Sequence, residues 1–308
     1  MEKKILIAVD DSVNSRRAVE YAANMRSVIK ELRYVIFNVQ PTVSEYALQD
    51  AHLNKKSRDA LQDLMKKNRE ISEKLIENYK NVMIRKGIKD DYVETVTYPR
   101  VMGAAKDIMS FARQNLCNAI LLGSRGVSKF EEAFIGSVSN TVIEHTSQPI
   151  WAVGGDITST KIILAIDGSD SALRAVDHVS LMIGHNPDIK VTLLHVAPTL
   201  RDYCAIEFDE EVDLVEELIS SGDQQCVESF YTHAKQRFQE AGVQESQIEI
   251  KEVASVVSIS KTILSEVENG GYGTLVLGRR GLSKSFFLGS VSRYCFNKAS
   301  NCAVWIVS

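Results

Sequence analysis

The sequence predicts an α/β protein built of two tandem domains, each a doubly wound, five-stranded parallel sheet. Three observations lead to this fold class. Strand and helix patterns alternate along the chain, the whole pattern occurs twice, and each copy carries a glycine-rich loop after its fourth strand. Alternation of strands and helices gives right-handed crossovers and a parallel sheet. Such a sheet binds ligands outside the carboxyl ends of its strands.

The repeat is visible in short segments that return in the same order. Ile5–Ser12, with the sequence ILIAVDDS, returns as Ile162–Ser169, with the sequence IILAIDGS. Further pairs are Arg17–Val19 with Arg174–Val176, Val39–Pro41 with Val196–Pro198, Gly123–Gly126 with Gly278–Gly281, Gly136–Ser139 with Gly289–Ser292, and Trp151 with Trp305. The period is too long for a solenoid, so each copy is a whole domain. We place the domains at residues 1–155 and 156–308, and the short polar link between them predicts close packing.

Buried parallel strands dominate the predicted elements. Ile5–Val9 is a continuous apolar run, as expected of a strand covered on both faces, and Asp10–Ser12 supplies residues that cap helices. The predicted strands of the first copy are Ile5–Val9, Tyr34–Val39, Val93–Tyr98, Ala119–Leu122 and Ile150–Val153. Those of the second copy are Ile162–Ile166, Val191–Val196, Ile248–Val253, Thr274–Leu277 and Ala303–Val307.

Helical patterns fill the segments between these strands. In the first copy they cover Ser15–Met25, Ala104–Gln114 and Gly136–Thr146. The segment Glu45–Lys86 predicts a long amphipathic helix, preceded by a shorter helix or a loop. Its apolar stripe consists of Leu61, Leu64, Ile71, Leu75, Tyr79 and Val82. We interpret its charged face as solvated rather than as a docking surface.

Composition narrows the classes of function. A net charge of −4 speaks against nucleic acid as the main partner, because that binding needs a basic face. No apolar stretch approaches the ~20 residues of a membrane span, and the N-terminal apolar run is too short for a signal peptide. The five cysteines form no C-x-x-C pair, and no histidine or cysteine cluster has metal-ligand spacing. We therefore expect a cytoplasmic protein without a membrane segment or a metal site.

The first glycine loop carries the strongest functional signal and reads G-x2-G-x9-G-S from Gly123 to Ser137. Gly126 would let the backbone approach a ligand, and Gly136 and Ser137 open a helix whose free N–H groups favour an anion. Arg125 adds positive charge beside them. A turn kept only for packing is the alternative, but the same Gly-Ser helix start in both copies favours a bound phosphate.

Two better-known phosphate motifs are absent. Both loops contain a glycine followed at a P-loop distance by Ser-Lys (Ser128-Lys129 and Ser283-Lys284), but the required G-K-[ST] order is missing. This excludes a Walker-type NTPase. The fingerprint G-x-G-x-x-G does not follow the first strand, so binding of NAD is not expected.

Asp10 after strand one, Val39 at the end of strand two and the spaced glycines after strand four together resemble the universal stress protein family. The resemblance covers almost the whole chain as a tandem pair. It implies a sheet of flavodoxin-like or adenine nucleotide alpha-hydrolase-like kind, with the two domains paired through their fifth strands. In that family the spaced-glycine motif marks the members that bind ATP.

The resemblance also implies which residues contact a bound adenine nucleotide (ATP, ADP or AMP). Whether Mg²⁺ accompanies the nucleotide is left open. No residue is assigned a catalytic or metal-binding role. In the first copy these residues are Asp10, Val39, Gly123, Arg125, Gly126, Gly136, Ser137 and Val138. In the second copy they are Asp167, Val196, Gly278, Arg280, Gly281, Gly289, Ser290 and Val291. The aspartate and the first valine of each set would flank adenine and ribose. Gly123 would lie near the ribose, and the remaining loop residues would surround the phosphates (Arg125, Gly126, Gly136, Ser137 and Val138 in the first copy).

The two copies depart from one another at two places. Asp11 in the first copy stands where the second has Gly168, and its carboxylate would repel polyphosphate unless Mg²⁺ or a basic side chain intervened. Seven residues separate Gly281 from Gly289, against nine between Gly126 and Gly136. The shorter loop would displace its donors by several Å, since each residue spans up to ~3.5 Å. We therefore expect the second site to be the weaker one.

Three functions stay open. The favoured one is a stress-response or regulatory protein that binds an adenine nucleotide and acts on an unidentified protein partner. A slow ATPase is the alternative, although only Asp11 lies near enough to serve as a base. A scaffold with vestigial sites is the third. The paired domains form a pseudo-dimer within the chain, and a homodimer of whole chains is left open.

Four further residues have simpler interpretations. Trp151 and Trp305 lie at matched places in the fifth strands and are expected to pack at an interface between the domains. Cys295 and Cys302 are expected to be buried thiols. His195 precedes a strand end near the predicted crevice and is expected to be a core or rim residue, not a catalytic one.

Overall fold

The computed structural model describes residues 2–43, 45–124, 137–199, 202, 212–280 and 288–308, with the backbone alone at 45, 47, 48, 53, 137 and 212–220. The strands are β1 (Lys3–Ala8), β2 (Leu32–Val39), β3 (Val93–Tyr98), β4 (Ala119–Gly123), β5 (Ile150–Gly154), β6 (Ile162–Ile166), β7 (Val191–Ala197), β8 (Ile248–Ala254), β9 (Thr274–Gly278) and β10 (Cys302–Val307). All ten belong to one sheet.

Helices alternate with these strands. They are α1 (Val13–Asn24), α2 (Glu45–Leu53), α3 (Lys55–Arg85), α4 (Ala104–Gln114), α5 (Ser137–His145), α6 (Asp170–Ile183), α7 (Val212–Glu240), α8 (Ile259–Gly270) and α9 (Ser290–Lys298). Short 3₁₀ helices lie at Met25–Ser27, Asp90–Tyr92 and Glu245–Gln247. The predicted α/β class is confirmed, and each predicted strand agrees with the structure to within two residues at either end.

The sheet runs in the order β3-β2-β1-β4-β5-β10-β9-β6-β7-β8. Within each half all neighbouring strands are parallel, whereas β5 and β10 are antiparallel at the centre. The two halves are thus joined edge to edge through their last strands. Their apolar cores lie on both faces of the sheet, α1, α3, α6 and α7 covering one face and α4, α5, α8 and α9 the other.

Two tryptophans meet at the centre of the sheet. Trp151 on β5 lies opposite Trp305 on β10, and their fully buried indole rings stack with centroids 3.9 Å apart and an interplanar angle of 1°. Each indole N–H also reaches the opposite half, where Trp151 donates to Nε2 of His178 at 3.0 Å and Trp305 donates to the hydroxyl of Tyr21 at 2.9 Å. The tryptophans are interface residues, as their matched positions predict.

The long amphipathic segment is divided at Asn54. The Asn54 side chain accepts a hydrogen bond from the N–H of Lys56 and caps the start of α3, so α2 and α3 are separate helices. Only the later part of α3 packs on the core, through Ser72, Ile76, Tyr79 and Met83. Leu64 and Ile71, which the apolar stripe places in the core, are exposed.

Candidate functional site

Each half holds a cavity where its parallel strands end. The first cavity has a volume of about 360 Å³ and lies between the carboxyl ends of β1, β2 and β4 and the starts of α1, α4 and α5. Its lining combines apolar and polar residues, which we call the apolar and the polar wall. The apolar wall consists of Ala8, Val9, Phe37, Val39, Ala104, Ile108, Leu122 and Val138, and the polar wall of Asp10, Ser12, Asn14, Ser15, Asn38, Gly123 and Ser139.

Asp10 brings a carboxylate to the polar wall. Its Oδ1 accepts hydrogen bonds from the N–H of Ser12 at 3.0 Å and from the hydroxyl of Ser15 at 2.6 Å. Partial loss of hydration opposes ionisation, but these hydrogen bonds outweigh it and hold the pKa of Asp10 below its usual value. The cap of α1 is Ser12, whose side chain accepts from the N–H of Ser15, so Asp10 itself does not cap the helix.

The second cavity repeats this arrangement with a volume of about 270 Å³. Leu194 takes the place of Phe37, and Ile259 takes the place of Ala104. Arg280 also lines this cavity. Its walls are formed by Ala165, Ile166, Asp167, Leu194, His195, Val196, Pro198, Asp223, Ile259, Ile263, Leu277, Gly278, Arg280, Gly289, Ser290, Val291 and Ser292.

A serine in each half fixes the helix that follows the glycine loop. Ser139 in the first turn of α5 donates to the carbonyl of Gly123 at 3.2 Å. Ser292 in the first turn of α9 donates to the carbonyl of Gly278 at 2.7 Å. These matched bonds hold the amino end of each helix against the end of β4 or β9. Sequence reasoning assigned neither serine a role, although both stand in the repeated Gly-Ser-Val-Ser segment.

Packing explains the first glycine of each loop. A Cβ atom on Gly123 would lie 2.5 Å from the backbone carbonyl carbon and oxygen of Asn14 in α1. A Cβ atom on Gly278 would lie 2.8 Å from the backbone carbonyl carbon of Ser171 in α6. The glycines therefore let a helix approach the end of a strand closely, whatever else they contact.

Asn38 and His195 hold equivalent positions and differ in chemistry. The Nδ2 of Asn38 donates to the carbonyl of Val9 at 2.7 Å. His195 approaches the carbonyl of Ile166 through Nδ1 at 3.4 Å and Asp223 Oδ2 through Nε2 at 2.7 Å. The imidazole thus anchors α7 over the second cavity. His195 is buried at the cavity wall, in agreement with a core or rim role.

The structure brings most of the predicted site residues together. Asp10, Val39, Gly123 and Val138 line the first cavity. The second cavity contains Asp167, Val196, Gly278, Arg280, Gly289, Ser290 and Val291. Arg125, Gly126, Gly136 and Gly281 lie outside the described residues, as does the side chain of Ser137. The nucleotide contacts assigned to all these residues stay a prediction.

The contrast between Asp11 and Gly168 has a backbone cause. Gly168 has a φ of +76°, and the position of a Cβ atom on it is taken by the Sγ of Cys226 in α7. Asp11 is exposed and has no positive φ. The second half thus requires glycine at this position, whereas the first has room for a side chain.

Neither a metal cluster nor a membrane span is found in the part of the chain that the structure describes. No group of three or more His, Cys, Asp or Glu residues there could hold a metal ion. No described helix is long and apolar enough to cross a bilayer. Cys295 and Cys302 are buried free thiols, as predicted, and burial raises the pKa of each to about 12.

Fold and cavities define a tandem α/β protein of Rossmann-like type, with a ligand-sized cavity at the carboxyl ends of the parallel strands in each half. The family model described as the universal stress protein family matches residues 1–154 and again residues 158–308. The chain belongs to this family, as a tandem member.

Individual relatives agree with this membership. A Staphylococcus aureus (strain USA300) protein named as a universal stress protein is 30% identical over 155 residues, covering 49% of this chain and 83% of its own. A universal stress protein from Archaeoglobus fulgidus aligns with 100% of this chain and 99% of its own, at 19% identity and a TM-score of 0.64. A protein from Pseudomonas aeruginosa, also described as a universal stress protein, aligns with 99% of this chain and 92% of its own, at 13% identity and a TM-score of 0.53. At such identities the structures show the shared fold alone.

Proposed function

We propose that this chain is a nucleotide-responsive regulatory protein that binds an adenine nucleotide in its cavities without hydrolysing it efficiently. The observation that carries the proposal is the paired geometry of the cavities. In each, an apolar slot adjoins a polar end formed by an aspartate, a strand-end glycine and the start of a helix. This combination suits a ligand with a flat apolar base at one end and phosphates at the other.

The apolar slot supports a base as the buried group. Phe37 and Ile108 border it in the first cavity, and Leu194 and Ile263 take their places in the second. All four side chains are buried. Volumes of about 360 and 270 Å³ lie near the lower end of the ~300–1,000 Å³ typical of small-molecule sites.

The polar end supports an anionic group. Gly289 and Ser290 open α9 at the second cavity, where the free N–H groups of a helix start favour negative charge. Arg280 lies beside them and can pair with phosphate. Asp10 and Asp167 stand further along the wall, where a ribose hydroxyl could donate to a carboxylate.

The first cavity offers a poor base for hydrolysis. A general base must accept a proton at neutral pH, and the lowered pKa of Asp10 makes its carboxylate a weak acceptor. Its Oδ1 is also occupied by hydrogen bonds from Ser12 and Ser15. Asp11 is the other nearby carboxylate and is exposed. We therefore favour binding over turnover, and a cytoplasmic stress-response role in which the bound nucleotide selects a protein partner.

Calorimetry with blocked cavities tests the proposal. Ala104 and Ile259 line equivalent walls and are both partly exposed, so Ala104→Trp and Ile259→Trp should each fill one cavity mouth. We expect two ATP molecules per wild-type chain, one per single variant and none in the double variant. Lys106→Trp and Lys261→Trp, at exposed positions of the same helices, are the matched controls and should bind as wild type does.

Two further measurements separate the alternatives. Mass spectrometry of the gently purified chain should detect copurified adenine nucleotide. Absence of both copurification and calorimetric binding would favour a scaffold with vestigial sites. Phosphate release should stay near background in wild type, and release that disappears in the double variant would instead identify a slow ATPase.

A further inference from the structure

Arg279 links the glycine loop of the second half to the first half of the molecule. It follows Gly278 directly, and its side chain is buried between the halves. The guanidinium donates to three carbonyl oxygens, through Nη1 to Thr146 at 2.8 Å and through Nη2 to Glu144 at 2.6 Å and Ile143 at 2.5 Å. Ile143 and Glu144 lie in the last turn of α5 and Thr146 directly follows the helix, and we call these three residues the α5 end. Arginine thus supplies donors that a helix end otherwise lacks.

The backbone of the same residue belongs to the second cavity. The carbonyl of Arg279 accepts a hydrogen bond at 2.9 Å from the N–H of Gly289, which lines that cavity just before α9. Its own N–H donates to the carbonyl of Val307 on β10 at 2.6 Å. Arg279 is therefore bonded at once to the loop of the second cavity and to the α5 end.

The α5 end is connected to the first cavity through a short helix. α5 spans nine residues, and Val138 and Ser139 in its first turn line the first cavity. So short a helix moves as a unit, and small shifts of packed helices are a common form of coupling between sites. A displacement of the α5 end would consequently move the wall of the first cavity.

Only the second half contributes an arginine to this connection. At the position equivalent to Arg279, the first half has Ser124, whose short side chain cannot reach across to α9. A second contact, between Arg293 of α9 and Glu144 of α5, is a longer ion pair of 3.6 Å between partly exposed side chains. Such pairs contribute little, so the buried guanidinium is the main link.

We propose that Arg279 is a positioning residue that couples the two cavities, so that a ligand in the second cavity changes the affinity of the first through α5. The inference rests on the proposed nucleotide binding. Because coupling between binding sites is reciprocal, a ligand in the first cavity must change the affinity of the second by the same factor. Couplings of this kind are typically ~5–150-fold.

Calorimetry of full-length chains with one and with two open cavities tests the coupling. The Ile259→Trp chain gives the ATP affinity of the first cavity alone, and the Ala104→Trp chain gives that of the second cavity alone. In wild type, the product of the two stepwise affinities should differ at least about five-fold from the product of these two values. With Arg279→Ser in all three chains, the two products should agree to within about two-fold, well below typical coupling. Serine is the matched choice because it copies Ser124, and Arg279→Lys should give an intermediate coupling.

Hydrogen exchange supplies a readout that a general loss of stability would not reproduce. ATP added to the Ala104→Trp chain should slow amide exchange at residues 143–147, although the ligand binds in the other half. Arg279→Ser should abolish this slowing. Arg293→Asn, which removes the exposed ion pair and copies Asn140, is the control and should leave it in place.

The outcomes separate the two claims. If ATP binds but the two products agree without the Arg279 substitution, or Arg279→Ser changes neither their ratio nor the exchange at residues 143–147, the coupling is wrong and the proposed function stands. Equal weakening of both cavities with a lowered Tm would also overturn it, because that pattern indicates a structural role. If the wild-type chain binds no ATP, both claims fail together.

Discussion

The hydrogen bonds of the two central tryptophans differ in their acceptors. On one side of the β5–β10 pairing the indole N–H donates to a tyrosine, and on the other side it donates to a histidine. Trp305 donates to the hydroxyl of Tyr21, and Trp151 donates to Nε2 of His178. Tyr21 and His178 are equivalent positions of the repeat, and both are buried. The duplicated halves have therefore kept a hydrogen bond while changing its acceptor. Geometry is shared between the copies, but the response to pH is not.

The cavities differ in the same way. Part of the lining matches, since Ala8 is equivalent to Ala165 and Leu122 is equivalent to Leu277. Another part differs, because Asn38 corresponds to His195, which is bonded to a carboxylate of α7. Divergence has thus been confined to side chains around a common backbone frame, and three pairs of substitutions test how far that holds.

Removing either tryptophan should have the largest effect. Trp151→Ala and Trp305→Ala each delete a fully buried ring and its stacking contact, so each should lower the free energy of unfolding by about 3–5 kcal/mol in urea titration. Leu116→Ala, at an 82% exposed position, is the control and should change it by less than about 0.5 kcal/mol. A small loss at one tryptophan only would mean that the two sides of the pairing are not equivalent in energy.

The histidine side should be sensitive to acid. Burial lowers the pKa of His178 to about 3, far below its value of 6.5 in the unfolded chain. The unfolded state therefore binds the proton first, and stability that is present above pH 6.5 is lost as the pH falls from there toward 3. One such group should remove about 2 kcal/mol of unfolding free energy between pH 8 and pH 5, because each unit of pKa shift is worth about 1.4 kcal/mol.

Swapping the two acceptors sharpens this test. His178→Tyr copies the first half and should reduce the loss of unfolding free energy at low pH, measured by urea titration at each pH. Tyr21→His should increase this loss by adding a second buried imidazole. An unchanged loss in His178→Tyr would show that other groups cause it.

Exchanging the residues that follow the site aspartates should have the smallest effect. Gly168→Asp must place a side chain at φ +76° and displace Cys226, so we expect a loss of roughly 1 kcal/mol in thermal unfolding. Asp11→Gly at the exposed equivalent position should change stability by less than about 0.5 kcal/mol. Comparable losses in both variants would mean that the two backbones are more alike than the structure shows.

The buried strands could be predicted from the sequence because strands covered on both faces are continuous apolar runs. Ile162–Ile166 is such a run and agrees with the structure at both ends. The stripe on α3 could not be placed so well, since the core contacts only its later turns and leaves Leu64 and Ile71 exposed. Helical periodicity marks an apolar face but not how far along the helix a neighbour extends.

The candidate site could be predicted in outline only. Asp10, Val39 and Gly123 follow strand ends, and strand ends meet at one edge of a parallel sheet, so their convergence is readable from the sequence. Asp223 reaches the second cavity from α7, far along the chain, and no local pattern marks it. Arg279 occupies a variable position of the glycine motif, and its bonds to α5 depend on how the halves pack.

The β5–β10 pairing lies within a single chain, and this sets it apart from an assembly of separate subunits. Two free subunits would part on dilution, whereas strands on one chain see each other at a fixed, high effective concentration. The pairing should therefore persist at any expression level. Within a chain, the first half always pairs with the second half, which differs from it in sequence. The two cavities are thereby kept in strict one-to-one ratio, which gives a fused pair a way to hold unlike sites together that a homodimer does not have.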